Sequence, residues 1–348
     1  MDKEEMNSYE RLMGVLNGKS VDRVPVAPIV REWCARQVGF TFSEIMNSVS
    51  KYVFAQYYCA KTFGMDALWD LWGVHAEAEA MGSVLKIPDD MPCSVVTPAI
   101  KNYDEDLHKI KLLNPHKDGH LPFILEGIRQ LKDLSGGRFP VLGYVQGPFR
   151  LASMLRGAES LMKDCMKGNK YLEEFLNFCT DALILYGTAL IHAGADFIWI
   201  GDPTSSGDAV SKKIWLTYGS PYTKRLVRAL KNSRVKVLMH ICGNTNDRLD
   251  SFVETGIDAL SLDEKVDLAY ARQIIGDDIC LWGNVSPTST LLMGTPEDVE
   301  SEVKACIEKG RGTKGKFVLC SGCMVPAEAP PQNIEAMVRA VHKYGKYE

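Results

Sequence analysis

Short apolar runs alternate with amphipathic stretches along nearly the whole 348-residue chain. Eight of the runs read as strands: RVPVAPIV (23–30), DALWDLW (66–72), RFPVLGYVQG (138–147), DFIWIGD (196–202), VKVLMH (235–240), IDALSL (257–262), ICLWGN (279–284) and KFVLCSG (316–322). They are short and rich in β-branched and aromatic residues, which separates them from helices. Between them lie helical patterns. In YLEEFLNFCTDALILYGTALIHAGA apolar side chains recur every three to four residues and stop at Gly194, a residue suited to a left-handed helix cap. Segments 121–134, 297–309 and 333–344 show the same period.

Strands alternating with helices indicate an α/β chain with a parallel sheet covered by helices, and eight such units predict a closed (β/α)8 TIM barrel. An open, doubly wound sheet is the other arrangement this pattern allows. No linker rich in Gly, Ser or Pro divides the chain and no short repeat is visible, so residues 1–348 read as a single domain. The stretch 73–117 is too long for a simple strand-to-helix connection. It predicts an insertion after strand two, with GSVLKI and SVVTPAI forming a hairpin beside the barrel mouth.

Composition narrows the class without naming a function. The chain is 46% hydrophobic and 24% charged with a formal charge of −4, which gives no electrostatic reason to expect nucleic acid or an anionic membrane as partner. The N-terminus MDKEEMNSYERLMGVLNGKS is too charged for a signal peptide, and no apolar run approaches the roughly 18 residues that span a bilayer. A cytoplasmic protein is expected. In that reducing setting most of the ten cysteines are read as buried thiols, and a cysteine close to a histidine becomes a metal or catalytic candidate.

A barrel gathers the residues after its strands into one ring. Here the ring holds Arg31, Glu32, Asp70, Tyr144, Gln146, Asp202, His240, Cys242, Asp263, Glu264, Asn284, Cys320 and Cys323. Glu32, Tyr144, Gln146 and Asp202 are the candidate substrate contacts. Each also has a plain structural reading: Tyr144, like Trp199 and Trp282, lies on an apolar strand and is core by default, and Asp202 can cap the turn that follows it.

His240, Cys242 and Cys323 form a different kind of set, because all three offer donors that suit a borderline-soft ion such as zinc. One imidazole and two thiolates leave the fourth tetrahedral position open, the arrangement of a catalytic site. Two thiolates suit alkyl transfer to a metal-bound thiol, and Lewis-acid assistance to a leaving oxygen is the second use. Cys320 and Cys323 also have the CxxC spacing of a redox dithiol, although at a strand end and not at a helix start.

The motifs HICGNTN, LSLDEK, WGNVSP and SGCMVPAEAPPQNIEAMVRAV, with ERLMGVLNGKSVDRVPV and EAEAMG nearer the N-terminus, resemble the methylcobamide:coenzyme M methyltransferases of the uroporphyrinogen decarboxylase superfamily. The resemblance implies a (β/α)8 barrel with zinc on a histidine and two cysteines, and it points to His240, Cys242 and Cys323, favouring Cys323 over Cys320. It implies Glu264 as a displaceable metal ligand or proton acceptor, and puts Asp70 where a family aspartate faces a tetrapyrrole. REWCARQVGF departs from the arginine-rich segment of the decarboxylases, which also carry histidine where Cys323 stands.

The chain lacks the Asp-x-His-x-x-Gly pattern of corrinoid carriers, so the methylcobamide is expected on a separate corrinoid protein. The small substrate is then a thiol such as coenzyme M that accepts the methyl group, slightly preferred, or a methoxylated compound that donates it in an O-demethylation. Porphyrinogen decarboxylation anchored on Asp70 and a non-catalytic, zinc-stabilised binding module are the competing classes.

Overall fold

Six of the eight apolar runs become ladder strands, five within two residues of their expected places and the run 138–147 starting four residues later, at Leu142. A computed structural model of the chain describes residues 5–70, 75–86, 88, 93–231 and 235–347. Strands β3 (Leu142–Gln146), β4 (Phe197–Gly201), β5 (Lys236–Ile241), β6 (Ala259–Leu262), β7 (Cys280–Val285) and β8 (Phe317–Ser321) pair in that order, each neighbour parallel. Nearly every residue in them is buried, as expected for strands covered on both faces.

The first two expected strands close this sheet into a barrel without becoming ladder strands. Residues 23–30 run beside β8: Ala27 N–H donates to the Leu319 carbonyl at 2.8 Å and Leu319 N–H donates to Pro25 at 2.9 Å. Residues 66–70 lie between that segment and β3, with Asp66 N–H on the Val26 carbonyl and Leu142 N–H on the Leu68 carbonyl. Pro25 and Pro28 lack the N–H groups a continuous ladder needs. The side-chain amide of Gln56 fills part of that gap, donating to the Val30 carbonyl and accepting from Trp69 N–H, both at 3.0 Å. The last two residues of DALWDLW, positions 71 and 72, lie outside the described residues.

A buried ionic knot fixes the start of the ring. Asp66, fully buried, accepts from Arg11 Nη1 at 2.8 Å, from Arg23 Nη1 at 2.7 Å and from Val26 N–H at 2.9 Å. It therefore ties helix Ser8–Leu16 to both closing segments. A carboxylate so deeply buried is tolerable only because two cations and a backbone donor surround it. Although burial acts against the charge, Arg23 and Arg11 hold its pKa below the ordinary carboxylate value.

The predicted helices appear as Leu121–Ser135, Leu172–Ala193, Pro296–Gly310 and Pro331–Tyr344. Leu172–Ala193 contains a window apolar and long enough to cross a membrane, contrary to the expectation that no such run exists. It packs against β3 and three neighbouring helices, so its apolar character serves the barrel's outer layer. Gly194 ends it at φ +118°, as its sequence position indicated. Strands β1 (Val84–Lys86) and β2 (Ser94–Thr97) form the expected antiparallel hairpin. It is anchored to the helix after β3 by Ile100 N–H on the Leu155 carbonyl and Ser83 Oγ on the Met154 carbonyl.

Candidate metal centre and active-site cavity

His240 lies near the end of β5, Cys242 just beyond it, and Cys323 two residues past β8. Each loop passes a glycine that neighbouring atoms approach closely. Gly243 has φ +89°, and a Cβ there would come within 2.6 Å of Ser206 Oγ; a Cβ on Gly322 would come within 2.6 Å of the Glu264 backbone nitrogen. These close approaches carry the loops inward from strands on different sides of the mouth. Gly243 N–H is held by Asp263 Oδ2 at 2.7 Å.

The three donor atoms converge to within 4.8 Å of one another. Cys242 Sγ lies 3.2 Å from His240 Nε2 and 3.3 Å from Cys323 Sγ. On the far side of the ring, His240 Nδ1 is 3.0 Å from Ser261 Oγ, a contact that fixes the ring with Nε2 turned to the thiols. The hydrogen bond between the two thiols splits them. Together with His240 it pulls Cys323 down to about 4, while the same bond and burial push Cys242 up. A trio of one imidazole and two sulfurs fits zinc by its chemistry.

These atoms open onto a cavity of about 240 Å³. Ile29, Trp69, Leu142, Trp199 and Met324 supply apolar wall; Arg31, Asp70, His75, Tyr144, Gln146 and Arg150 supply polar wall. Trp199 packs edge-on against Trp69 and lies 5.4 Å from the His240 ring. Of the sequence candidates, Asp70, Tyr144 and Gln146 therefore share one cavity with the His–Cys–Cys set, and Tyr144, assigned to core by default, is cavity wall.

Three candidates stand apart. Glu32 opens helix Glu32–Gln37 and does not line the cavity. Asp202 is fully buried behind it, pressed against Gly147, whose Cβ position lies 2.3 Å from Asp202 Oδ2. Its carboxyl is pushed up to about 7 by burial. Glu264 is exposed beside Gly322, outside the convergent donors, with its pKa raised by burial and by Asp263 and Cys323. Asn284 and Asp263 hold loops: Asn284 Nδ2 donates to the Asp263 and Val266 carbonyls. Cys320 is fully buried within β8, while the Cys323 sulfur meets Cys242.

Sequence reading passed over His75, Glu77 and Arg150. Glu77 is fully buried, accepts from Gln146 N–H at 2.9 Å and is pushed up to about 8 by burial. Burial first, then Arg150 and Arg31, push His75 down to about 4, so its ring is neutral near pH 7. Arg150 carried a legible signal: it stands in the first turn of helix Pro148–Arg156, where a cation opposes the helix dipole.

A parallel (β/α)8 barrel with convergent polar groups at the carboxyl ends of its strands has the architecture of a barrel enzyme. The chain belongs to the uroporphyrinogen decarboxylase (URO-D) family, whose model matches residues 7–344. The methylcobamide:CoM methyltransferase MtbA of Methanosarcina mazei is 32% identical over 345 residues, covering 98% of this chain and 99% of that protein. MtaA of Methanosarcina barkeri, of the same description, is 31% identical over 349 residues, with 98% and 99% covered. A solved methyltransferase structure from Methanosarcina mazei superposes with TM-score 0.90 at 27% identity, covering 98% of this chain and 99% of that one.

Proposed function

We propose that this protein is a corrinoid-dependent methyltransferase that moves a methyl group between the cobalt of a separate corrinoid protein and a small substrate held at zinc on His240, Cys242 and Cys323. The observation that carries the reading is the convergence of one imidazole and two thiol sulfurs within 4.8 Å, in a cavity at the carboxyl ends of the strands. Relatives named as methylcobamide:CoM methyltransferases over essentially the full chain support the reaction class. A thiol acceptor is preferred. A reducing compartment such as the cytoplasm keeps the two cysteines as thiols.

Bound zinc would supply a Lewis acid that lets a thiol in the open fourth position ionise near neutral pH while remaining nucleophilic. The protein's own groups do the rest. Ser261 sets the orientation of His240. Cys242 and Cys323 contribute thiolate charge, which keeps the acceptor sulfur electron-rich. Trp69, Trp199 and Met324 shield the cavity from water and strengthen the electrostatics inside. Glu264, exposed beside Gly322, is the proton acceptor that the family resemblance implies, and we keep it as the proposed acceptor of the thiol proton. We read the segment 73–117, which contains the hairpin, as an insertion of one barrel domain.

The aromatic wall of Trp69, Trp199 and Tyr144 favours a second reading, in which a methoxylated arene donates its methyl group to cob(I)amide. Metal analysis and two assays separate the readings. The purified protein is expected to hold one zinc, lost in C242S and C323S, and to methylate thiols from methylcobalamin. Transfer from methoxyarenes to cob(I)alamin without thiol methylation would select the second reading, and activity in neither assay would refute both.

A further inference from the structure

We infer that a groove at the amino end of β8, on the opposite end of the barrel from Cys323, binds a small, multiply charged phosphate anion, a di- or triphosphate. The inference is independent of the proposed methyl transfer, which uses the other end of the barrel.

Three pieces of chain form the groove: the turn 18–21 after helix Ser8–Leu16, the loop 311–315 that leads into β8, and the end of helix Pro331–Tyr344 with residues 346 and 347. Its volume is about 900 Å³, larger than that of the cavity at the mouth. Lys19, Arg311, Lys314, Lys343 and Lys346 line it, and among the described residues no acid does. Gly312 and Gly315, at φ +60° and +65°, turn the loop tightly and put no side chain in the way of a ligand.

The surroundings answer only part of this charge. Helices Pro296–Gly310 and Pro331–Tyr344 both end at the groove, and their last carbonyls together carry about one negative charge, which a single cation offsets. Lys314 pairs with Asp278 and Lys343 with Glu300, each at 2.7 Å. Both pairs are exposed and of a kind that contributes little, so a phosphate oxygen can replace either carboxylate. Asp277 accepts from Thr313 and lies 3.6 Å from Arg272, and Asp22 is bound to Arg11. Among the described residues Lys19 and Arg311 form no ion pair. Arg311 is held without spending its charge: Nη2 donates to the Lys346 carbonyl at 2.8 Å, and the guanidinium lies 4.2 Å from the centre of the Tyr347 ring. The Tyr347 hydroxyl in turn donates to the Gly315 carbonyl at 2.7 Å, which ties the chain end to the loop. Cations converging from three pieces of chain suit the several oxygens of a phosphate chain, to which lysine binds as a point charge; a single carboxylate would leave most of them unanswered. Tyr344 and Tyr347 line the same groove and offer ring surface to a nucleoside on that chain.

Calorimetric titration of the full-length protein with inorganic triphosphate, ATP and orthophosphate, at about 0.1 M salt where screening is moderate, tests the site, and hydrogen–deuterium exchange locates it. Triphosphate should bind about tenfold or more tighter than orthophosphate. K19Q and K343Q should each weaken it several-fold and together abolish the preference, with the thermal melt unchanged. Protection should fall on residues 18–21, 311–315 and 343–347. ATP binding more tightly than triphosphate sets the nucleoside against the tyrosines, equal affinity assigns the site to the phosphate chain alone, and either result upholds the inference. No preference for triphosphate overturns it, as does a K163Q control on an exposed lysine that weakens binding as much as K19Q, or protection at residues 240–244 and 321–325 instead. Glu348 follows Tyr347 in the chain and is the rival occupant, so binding that appears only once Glu348 is deleted would overturn the inference as well.

Discussion

His240 is held at both ring nitrogens, by Ser261 on one side and by the cysteine pair on the other. Ser261 is itself fully buried, so its hydroxyl has little freedom to do anything else. Replacing it with alanine should weaken metal affinity by roughly 10- to 100-fold, as loss of such an orienting partner does, and competition with a chelator would measure it. His240 and Cys242 were legible in the sequence as metal-capable types one residue apart at a strand end, and the family resemblance favoured Cys323 over Cys320 as the third member. Glu77 was not, since it sits inside the insertion, where no strand periodicity singles it out, and Arg150 offered only its unfavourable place in the first turn of a helix. Glu77 also makes stability depend on pH. Its carboxyl rises from 4.5 to about 8 in the fold, so between those values the native state keeps a proton that the unfolded chain has released. Stability is therefore greatest below the unfolded value and falls as pH rises toward about 8. Glu77→Gln keeps an oxygen for Gln146 N–H and removes this loss. Its melting temperature should gain on wild type from pH 5 to pH 9, by an energy on the order of a few kcal/mol, and a gap that does not change with pH would contradict the assignment.

At the scale of elements, the apolar runs announced β3 to β8 and four long helices because period and burial agreed there. They did not announce that the first two ring positions would be held by single bridges. That outcome depends on two prolines and on Gln56, a polar residue in the middle of helix Val49–Phe63 whose amide replaces missing ladder bonds. Nor does any local pattern reveal that Arg11, Arg23 and Asp66 meet, because the contact joins residues up to 55 positions apart. Asp66→Ala leaves two buried guanidiniums without their shared carboxylate. It should destabilise the fold by about 3–5 kcal/mol in urea unfolding, far more than removal of an exposed pair such as Lys163–Glu159.

For the whole molecule, the division of labour follows from where the charges sit. The buried base of the barrel is neutralised internally by the Asp66 knot, and the mouth sets Arg31, Arg150 and Asp70 beside a soft-donor centre. The centre is carried on the end of β5 and the loops after β5 and β8, while the ring is closed by backbone bonds and apolar packing. Stripping the metal with a chelator should leave a single cooperative melt of full amplitude by circular dichroism. Loss of that melt would instead assign the ion a scaffold role. The most direct test of the central claim is methyl transfer from methylcobalamin to 2-mercaptoethanesulfonate, followed by the change in corrinoid absorbance. The zinc-loaded protein should catalyse it and C323S should not; zinc-loaded protein that leaves methylcobalamin unchanged with every thiol offered would contradict the account.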